Sequence, residues 1–375
     1  MKRMTQWLLT LAILLFFVGA RPASIGAQSD QAPGVRDEIV VGRVVEVVDT
    51  KRAVLETNRH YIQTLKVKVS LKSGLKKTIQ ISSGYIPYAQ EALYGPGDEV
   101  LLGYQSKGLV EEYWYMIGHR RTTLLWFVGA VFVALTLIVA RAKGARSLLA
   151  MVITGAVMIY GVLPQLYAGT NPQLVLCGAI IVLLPLSFYL SHGISTKTNV
   201  AIFTCAIILG LAVGITQLLV QHLHLTGLTS DELLALLSVR EDRLQLGSMV
   251  AAGIVLGVLG VLDDVSITQA SIVHELHDSN PKIAPLALFS RAMNVGQDHI
   301  ASVVNTLILV YAGSSLSTLL LITQFPRPLT VLLNSEVVAT QLLITLVGSI
   351  CLIVAIPATT AAAVFVYSRR SNTKR

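Results

Sequence analysis

Residues 247–278 read GSMVAAGIVLGVLGVLDDVSITQASIVHELHD, and this stretch decides what kind of protein the chain is. Gly253, Gly257, Gly260, Asp264, Thr268, Ser271, Glu275 and Asp278 recur at intervals of three or four, so a helix carries them all on one face. The stripe grades from small residues, with a Gly253-x-x-x-Gly257 step suited to close helix packing, into carboxylates. At 1.5 Å per residue Asp264 lies roughly 25 Å along that helix, still near or inside a bilayer's hydrocarbon. Ionised carboxylates facing lipid are costly, so Asp263 and Asp264 are expected to face protein or water.

The rest of the chain agrees with a lipid solvent. Of 375 residues 53 % are hydrophobic and 13 % charged, with a mean hydropathy of +0.67. A water-exposed surface normally requires about a quarter of the residues to be charged, which excludes an ordinary soluble globule. The net charge of +8 does not mark a nucleic-acid surface, because residues 28–119 hold eleven basic and eleven acidic residues and the excess belongs to the remainder. Cys177, Cys205 and Cys351 all fall in apolar runs, so neither a disulfide framework nor a cysteine zinc site is indicated.

Residues 1–27 have the form of a signal sequence: Met1-Lys2-Arg3, an apolar run over 7–20, then small residues to Ala27. Cleaved or kept as an anchor, it places residues 28–119 outside the cytoplasm. There the period changes to two: Leu65, Val67, Val69 and Leu71 alternate with Lys66, Lys68, Ser70 and Lys72. Strands are also expected at 39–48, 78–82 and 100–104, with turns at Ser73-Gly74 and Gly95-Pro96-Gly97-Asp98. Such short strands suggest a small extracytoplasmic β domain of OB-like kind. Its neutrality favours a protein partner or a structural role over nucleic acid.

Tyr113-Trp114-Tyr115 reads as an interfacial aromatic cluster, and seven spans are expected after it, at 122–140, 147–167, 173–191, 199–220, 247–273, 299–323 and 337–367. The membrane domain is thus 120–368, a helical polytopic bundle, followed by a basic tail at 369–375. The segment 229–239 opens with a capping-box pattern and reads as a short helix at the outer interface. Ten basic residues (Arg141, Lys143, Arg146, Lys197, Lys282, Arg291, Arg369, Arg370, Lys374 and Arg375) fall on the side that holds the C-terminus, against five on the other, which puts the C-terminus in the cytoplasm.

A second stripe, Arg291, Asn294, Asp298, Ser302 and Asn305, runs along the sixth span. An antiparallel pair of spans five and six, joined through Asn280-Pro281, lets the two polar faces meet. The candidate ion or substrate path is therefore Asp263, Asp264, Thr268, Ser271, Asp298, Ser302 and Asn305, with Gly253, Gly257 and Gly260 for helix packing. The opposing reading makes these groups hydrogen-bonded interface residues. His274, His277 and His299 lack the spacing of a zinc-protease motif and read better as parts of a solvated helix end than as metal ligands. No cofactor is indicated.

The run from Gly257 to Ser271, together with Asp298 and the segment NTLILVYAG at 305–313, resembles the YibE/F-like family of bacterial polytopic membrane proteins. The resemblance implies a bacterial plasma-membrane protein with a transport role, and names neither substrate nor catalytic residue. The leading expectation is thus an ion- or proton-coupled transporter or permease rather than an enzyme. The alternative is a membrane scaffold or sensor whose exported domain binds a partner; homo-oligomers fit either. An intramembrane hydrolase ranks lower, because Asp263 and Asp264 lack the Tyr-Asp and Gly-x-Gly-Asp patterns and splay about 100° apart on a helix.

Overall fold

The alternation at 65–70 folds as a strand with one wet and one dry face: Leu65, Val67 and Val69 are fully buried, while Lys66, Lys68 and Ser70 are exposed. The computed structural model describes residues 35–55, 58–70, 76–83, 93–107, 111–227, 245–324 and 328–373. The expected signal sequence, Leu71, Lys72, Ser73-Gly74 and the helix at 229–239 lie outside those residues. Two compact units result, Ile25–Leu135 and Thr136–Arg375.

The first unit holds β1 (Val35–Leu55), β2 (Asn58–Ser70), β3 (Lys76–Ser83), β4 (Glu99–Lys107) and β5 (Glu111–His119). They form one antiparallel sheet of order β3-β2-β1-β4-β5. The long central β1 pairs with β4 through its first half and β2 through its second, and register shifts at Val44/Glu46 and Val47/Asp49 bend it. The outer strands β3 and β5 meet as the sheet curls, closing over Val40, Val44, Leu65, Val67, Val69, Val100 and Leu102. The expected turn at 95–98 forms: Gly97 has φ +98°, and Asp98 Oδ2 accepts from the Gly95 amide at 2.7 Å.

Strand β5 corrects the reading of Tyr113-Trp114-Tyr115. Pairing with β4 sets Trp114 against Tyr104, ring centroids 4.6 Å apart, and lays Tyr115 over Gly103, where a Cβ would sit 2.1 Å from the ring. The aromatic run is one more alternating strand, whose inward member fills the sheet's core.

In the second unit most helices are predominantly apolar, and polar breaks and prolines punctuate the chain. α1 (Thr122–Val157) is broken at Arg141, which lies in the left-handed region at φ 49°. Residues eight apart on a straight helix are roughly 12 Å apart, yet a Cβ on Gly144 would sit 2.5 Å from the Thr136 carbonyl oxygen. The chain therefore turns sharply within its basic segment. A π-helical turn (Met158–Val162) and α2 (Leu163–Tyr167) complete this stretch.

α3 (Pro172–His192) starts with Pro172 in its first turn and Asn171 accepting from the Gln173 amide, and α4 (Thr196–His222) is capped by Ser195. α5 (Leu246–Ser279), α6 (Pro285–Ser314), α7 (Leu316–Gln324), α8 (Leu329–Leu333) and α9 (Glu336–Thr373) follow. α9 runs through Pro357 as one helix.

Five helical stretches among the described residues are long and apolar enough to cross a membrane: Thr122–Tyr167, Pro172–His192, Thr196–His222, Leu246–Ser279 and Glu336–Arg369. The expected sixth span at 299–323 differs from the structure. α6 begins at Pro285, stops at Ser314, and a new helix starts at Leu316. Its polar stripe keeps it out of the apolar set. The core of the unit is α5 packed against α4 and α9, with Leu209, Ile254, Leu262, Leu352 and Ile356 inside.

Candidate functional site

The adjacent carboxylates of α5 have different surroundings. Asp264 is exposed, whereas Asp263 turns toward α3, where the Ser187 hydroxyl donates to its Oδ2. Asp263 Oδ1 is buried and has no hydrogen-bond partner among the described residues. A buried acceptor left unpaired costs about 1–3 kcal/mol, more when charged. The carboxylate borders a cavity of about 240 Å³ lined by Thr154, Met158, Leu184, Ser187, Gly260 and Asp263 among others. Its wall includes the first residue of the π-helical turn, a distortion that often accompanies functional positions.

One helical turn further along both α3 and α5 lies a second, more open cleft of about 440 Å³, lined by His192, Thr268, Ser271 and Glu275 among apolar neighbours. From Leu256 to Leu276 the two cavities extend over 20 residue steps of α5, roughly 30 Å at 1.5 Å per step, which is the thickness of a bilayer's hydrocarbon. The charged groups acting on His192 are Asp264, Lys197 and Lys143, and the Arg146 guanidinium lies beside Gly193. Basic residues from two connections thus gather at the end of α3.

The structure does not bring the two polar stripes together. Gly253, Gly257, Gly260, Asp264, Thr268 and Glu275 lie on the exposed face of α5, and Asp298, Ser302 and Asn305 on an exposed face of α6, with Ser271 half-buried. The buried contact between α5 and α6 uses other faces, apart from Gly257, whose Cβ position lies 3.7 Å from the Tyr311 hydroxyl of α6. Gln269, about 145° from the middle of the α5 stripe on an ideal helix, donates to the Ala292 carbonyl at 3.0 Å and to Thr360 Oγ1 at 2.7 Å. Gly296 is the matching position on α6: a Cβ there would meet Ile356 at 2.6 Å and Gln269 at 3.2 Å. The amide of Gln269, 1 % exposed, ties three helices together. A polar side chain in this bundle does not by itself mark the wet face.

Among the described residues no group of three or more His, Cys, Asp or Glu side chains is arranged to hold a metal ion. His274 and His277 pack on the Tyr367 ring, at 5.3 and 5.5 Å between centroids, with Nδ1 of each 3.5 and 3.6 Å from Asp278. His299 is half-buried. Sequence reasoning reached Asp263 but missed Ser187, Thr154, His192 and Gln269. Ser187 and Thr154 are single polar residues in apolar runs, His192 and Gln269 lie among other polar residues, and no spacing rule connects the four across helices.

These features define a membrane protein: a bundle of long apolar helices preceded by a curled antiparallel sheet. Residues 128–369 match the sequence model of the YibE/F-like protein family, and the chain belongs to that family. No curated protein and no solved structure matches the chain.

Proposed function

We propose that this protein is an ion- or proton-coupled transporter in which Asp263 is the carrier group. The observation that carries the reading is Asp263 itself: a carboxylate within a membrane-spanning helix, half held by Ser187 and half unpaired at a cavity. Intramembrane carboxylates are expensive and serve ion paths and proton relays. A group whose neutralisation by a cation or proton relieves that cost is suited to alternate between loaded and empty states. The proposed route runs between α3 and α5 rather than between α5 and α6, because both cavities lie on the α3–α5 seam.

The topology in this proposal has seven spans, with α1 counted as two about its break at Arg141 and α6 as the sixth. The clustering of Lys143, Arg146 and Lys197 around the end of α3 supports placing those connections on one side, the cytoplasmic side in a bacterial plasma membrane. The strand order, with β3 brought against β5, supports an OB-like arrangement for the outer domain. Asp298, Ser302 and Asn305 also need protein or water around them in a bilayer, which favours self-association.

A scaffold or sensor role is the second reading. It is favoured by apolar side chains exposed on the outer face of the sheet, Ile39, Val41, Tyr113 and Ile117. Asp263 and Asp264 face different surroundings and lend nothing to a two-aspartate hydrolase, which needs both carboxyls on one substrate.

The test is transient current from proteoliposomes on a supported membrane after a jump in pH or in sodium concentration. Wild-type protein is expected to give a binding current for one of these ions, and Asp263→Asn, folded to the same extent, to lose at least nine-tenths of it. Equal currents in both proteins overturn the carrier reading and leave the scaffold.

A further inference from the structure

We infer that the coupling ion is a proton, delivered to Asp263 from the Glu275 end of α5 by way of His192; this rests on the carrier reading of Asp263. The two cavities are separated by a single helical turn on each of the two helices that wall them. Ser187, on the first, and His192, on the second, are five residues apart on α3, roughly 7.5 Å along its axis. On α5, Glu275 stands twelve residues beyond Asp263, roughly 18 Å. Neither a hydroxyl nor a carboxylate spans such a gap directly. The level of His192 along the seam falls between those of Asp263 and Glu275, and an imidazole is the side chain whose ordinary pKa suits a proton shuttle near neutral pH.

The lining points to protons rather than a metal cation. A bound cation such as sodium or magnesium takes several oxygen ligands at once, while these polar groups are strung out along the seam. Thr268 and Ser271 line the same cleft as His192 and Glu275, and its 440 Å³ has room for several waters, each needing about 30 Å³. The charged groups acting on His192 include both signs, Asp264 against Lys197 and Lys143, and Glu275 lines the same cleft.

The transfer sequence moves one proton and no other atom. The carboxyl of Glu275 gives its proton to a ring nitrogen of His192, leaving a carboxylate and an imidazolium. The imidazolium then releases a proton from its other ring nitrogen toward the Asp263 carboxylate, which becomes a neutral carboxyl while His192 returns to neutral imidazole. Glu275 is recharged from the water at the helix end, and the direction reverses when Asp263 unloads.

The experiment is the pH-jump current above, with the rate of relaxation read separately from the charge moved. Asp263→Asn loses the charge. His192→Gln keeps the charge to within a factor of two but slows its relaxation at least tenfold, and 10–50 mM imidazole restores the rate, while Glu275→Gln slows it about threefold. A wild-type rate in His192→Gln, with Asp263→Asn silent, overturns the relay and leaves the carrier intact. A slowing that imidazole does not repair marks a positioning role and also overturns it. Should His192→Gln fail to fold, a wild-type rate in Glu275→Gln overturns the route. A sodium-jump current that protons compete away overturns the proton assignment, and full charge movement in Asp263→Asn removes the carrier reading beneath it.

Discussion

Along the strand over 65–70 burial follows the sequence residue by residue; along α5 it does not. The strand over 65–70 places every apolar side chain inside and every polar one outside, because water penalises the opposite arrangement at each position. On α5 both Gln269 and Asp264 are polar, and the first is buried at the junction of three helices while the second is exposed. Lipid is as apolar as leucine, so burial of an apolar side chain between helices gains little there. Close packing and hydrogen bonds choose the faces instead. The comparison teaches that the meaning of a polar residue depends on its solvent.

Val67→Asp on β2 gives the largest expected effect: a carboxylate in the dry core of the sheet should destabilise that unit by more than about 4 kcal/mol. Hydrogen exchange of the full-length protein should show β1, β2 and β4 exchanging together while α5 remains protected. Protection unchanged in the sheet would mean that its core tolerates a charge and would break the comparison from the water side.

Gly296→Val tests packing in the bundle, since the new side chain must displace Ile356, which is itself fully buried. Overpacking of this kind costs about 1–3 kcal/mol, to be read from unfolding in mixed detergent micelles. Gln269→Met keeps the volume and removes the bonds to Ala292 and Thr360. A loss of about 1 kcal/mol is expected, the scale of interhelical hydrogen bonds in membranes; no loss would show that shape alone holds the junction.

The smallest expected effect is that of Gly253→Ala on the exposed stripe. Nothing lies within 4 Å of the added methyl, and alanine's helix propensity should leave stability unchanged or raise it by up to about 1 kcal/mol. Destabilisation by 1 kcal/mol or more, lost on dilution into excess detergent, would sharpen the contrast by showing a second copy covering this face.

Much of the fold was legible in advance. Leu65, Val67 and Val69 announced their strand by alternation, and the apolar runs at 173–191 and 199–220 lie inside α3 and α4. β5 was not, since the triplet Tyr113-Trp114-Tyr115 reads equally as a membrane anchor and as a strand. Within the site, Asp263 stood out because a carboxylate in an apolar run is costly wherever it points. Its partner Ser187 did not, because a lone serine hides easily in a helix by bonding its own backbone.

By itself the sequence determined that the chain is a membrane protein with alternating strands toward its N-terminus, because hydropathy and period are local properties. Which of two adjacent aspartates meets a serine 76 residues away, and which polar face is turned inward, was decided only by tertiary structure. Helices that are apolar all round can pack on almost any side, and only side-chain fit across helices, as between Gly296, Gln269 and Ile356, selects one.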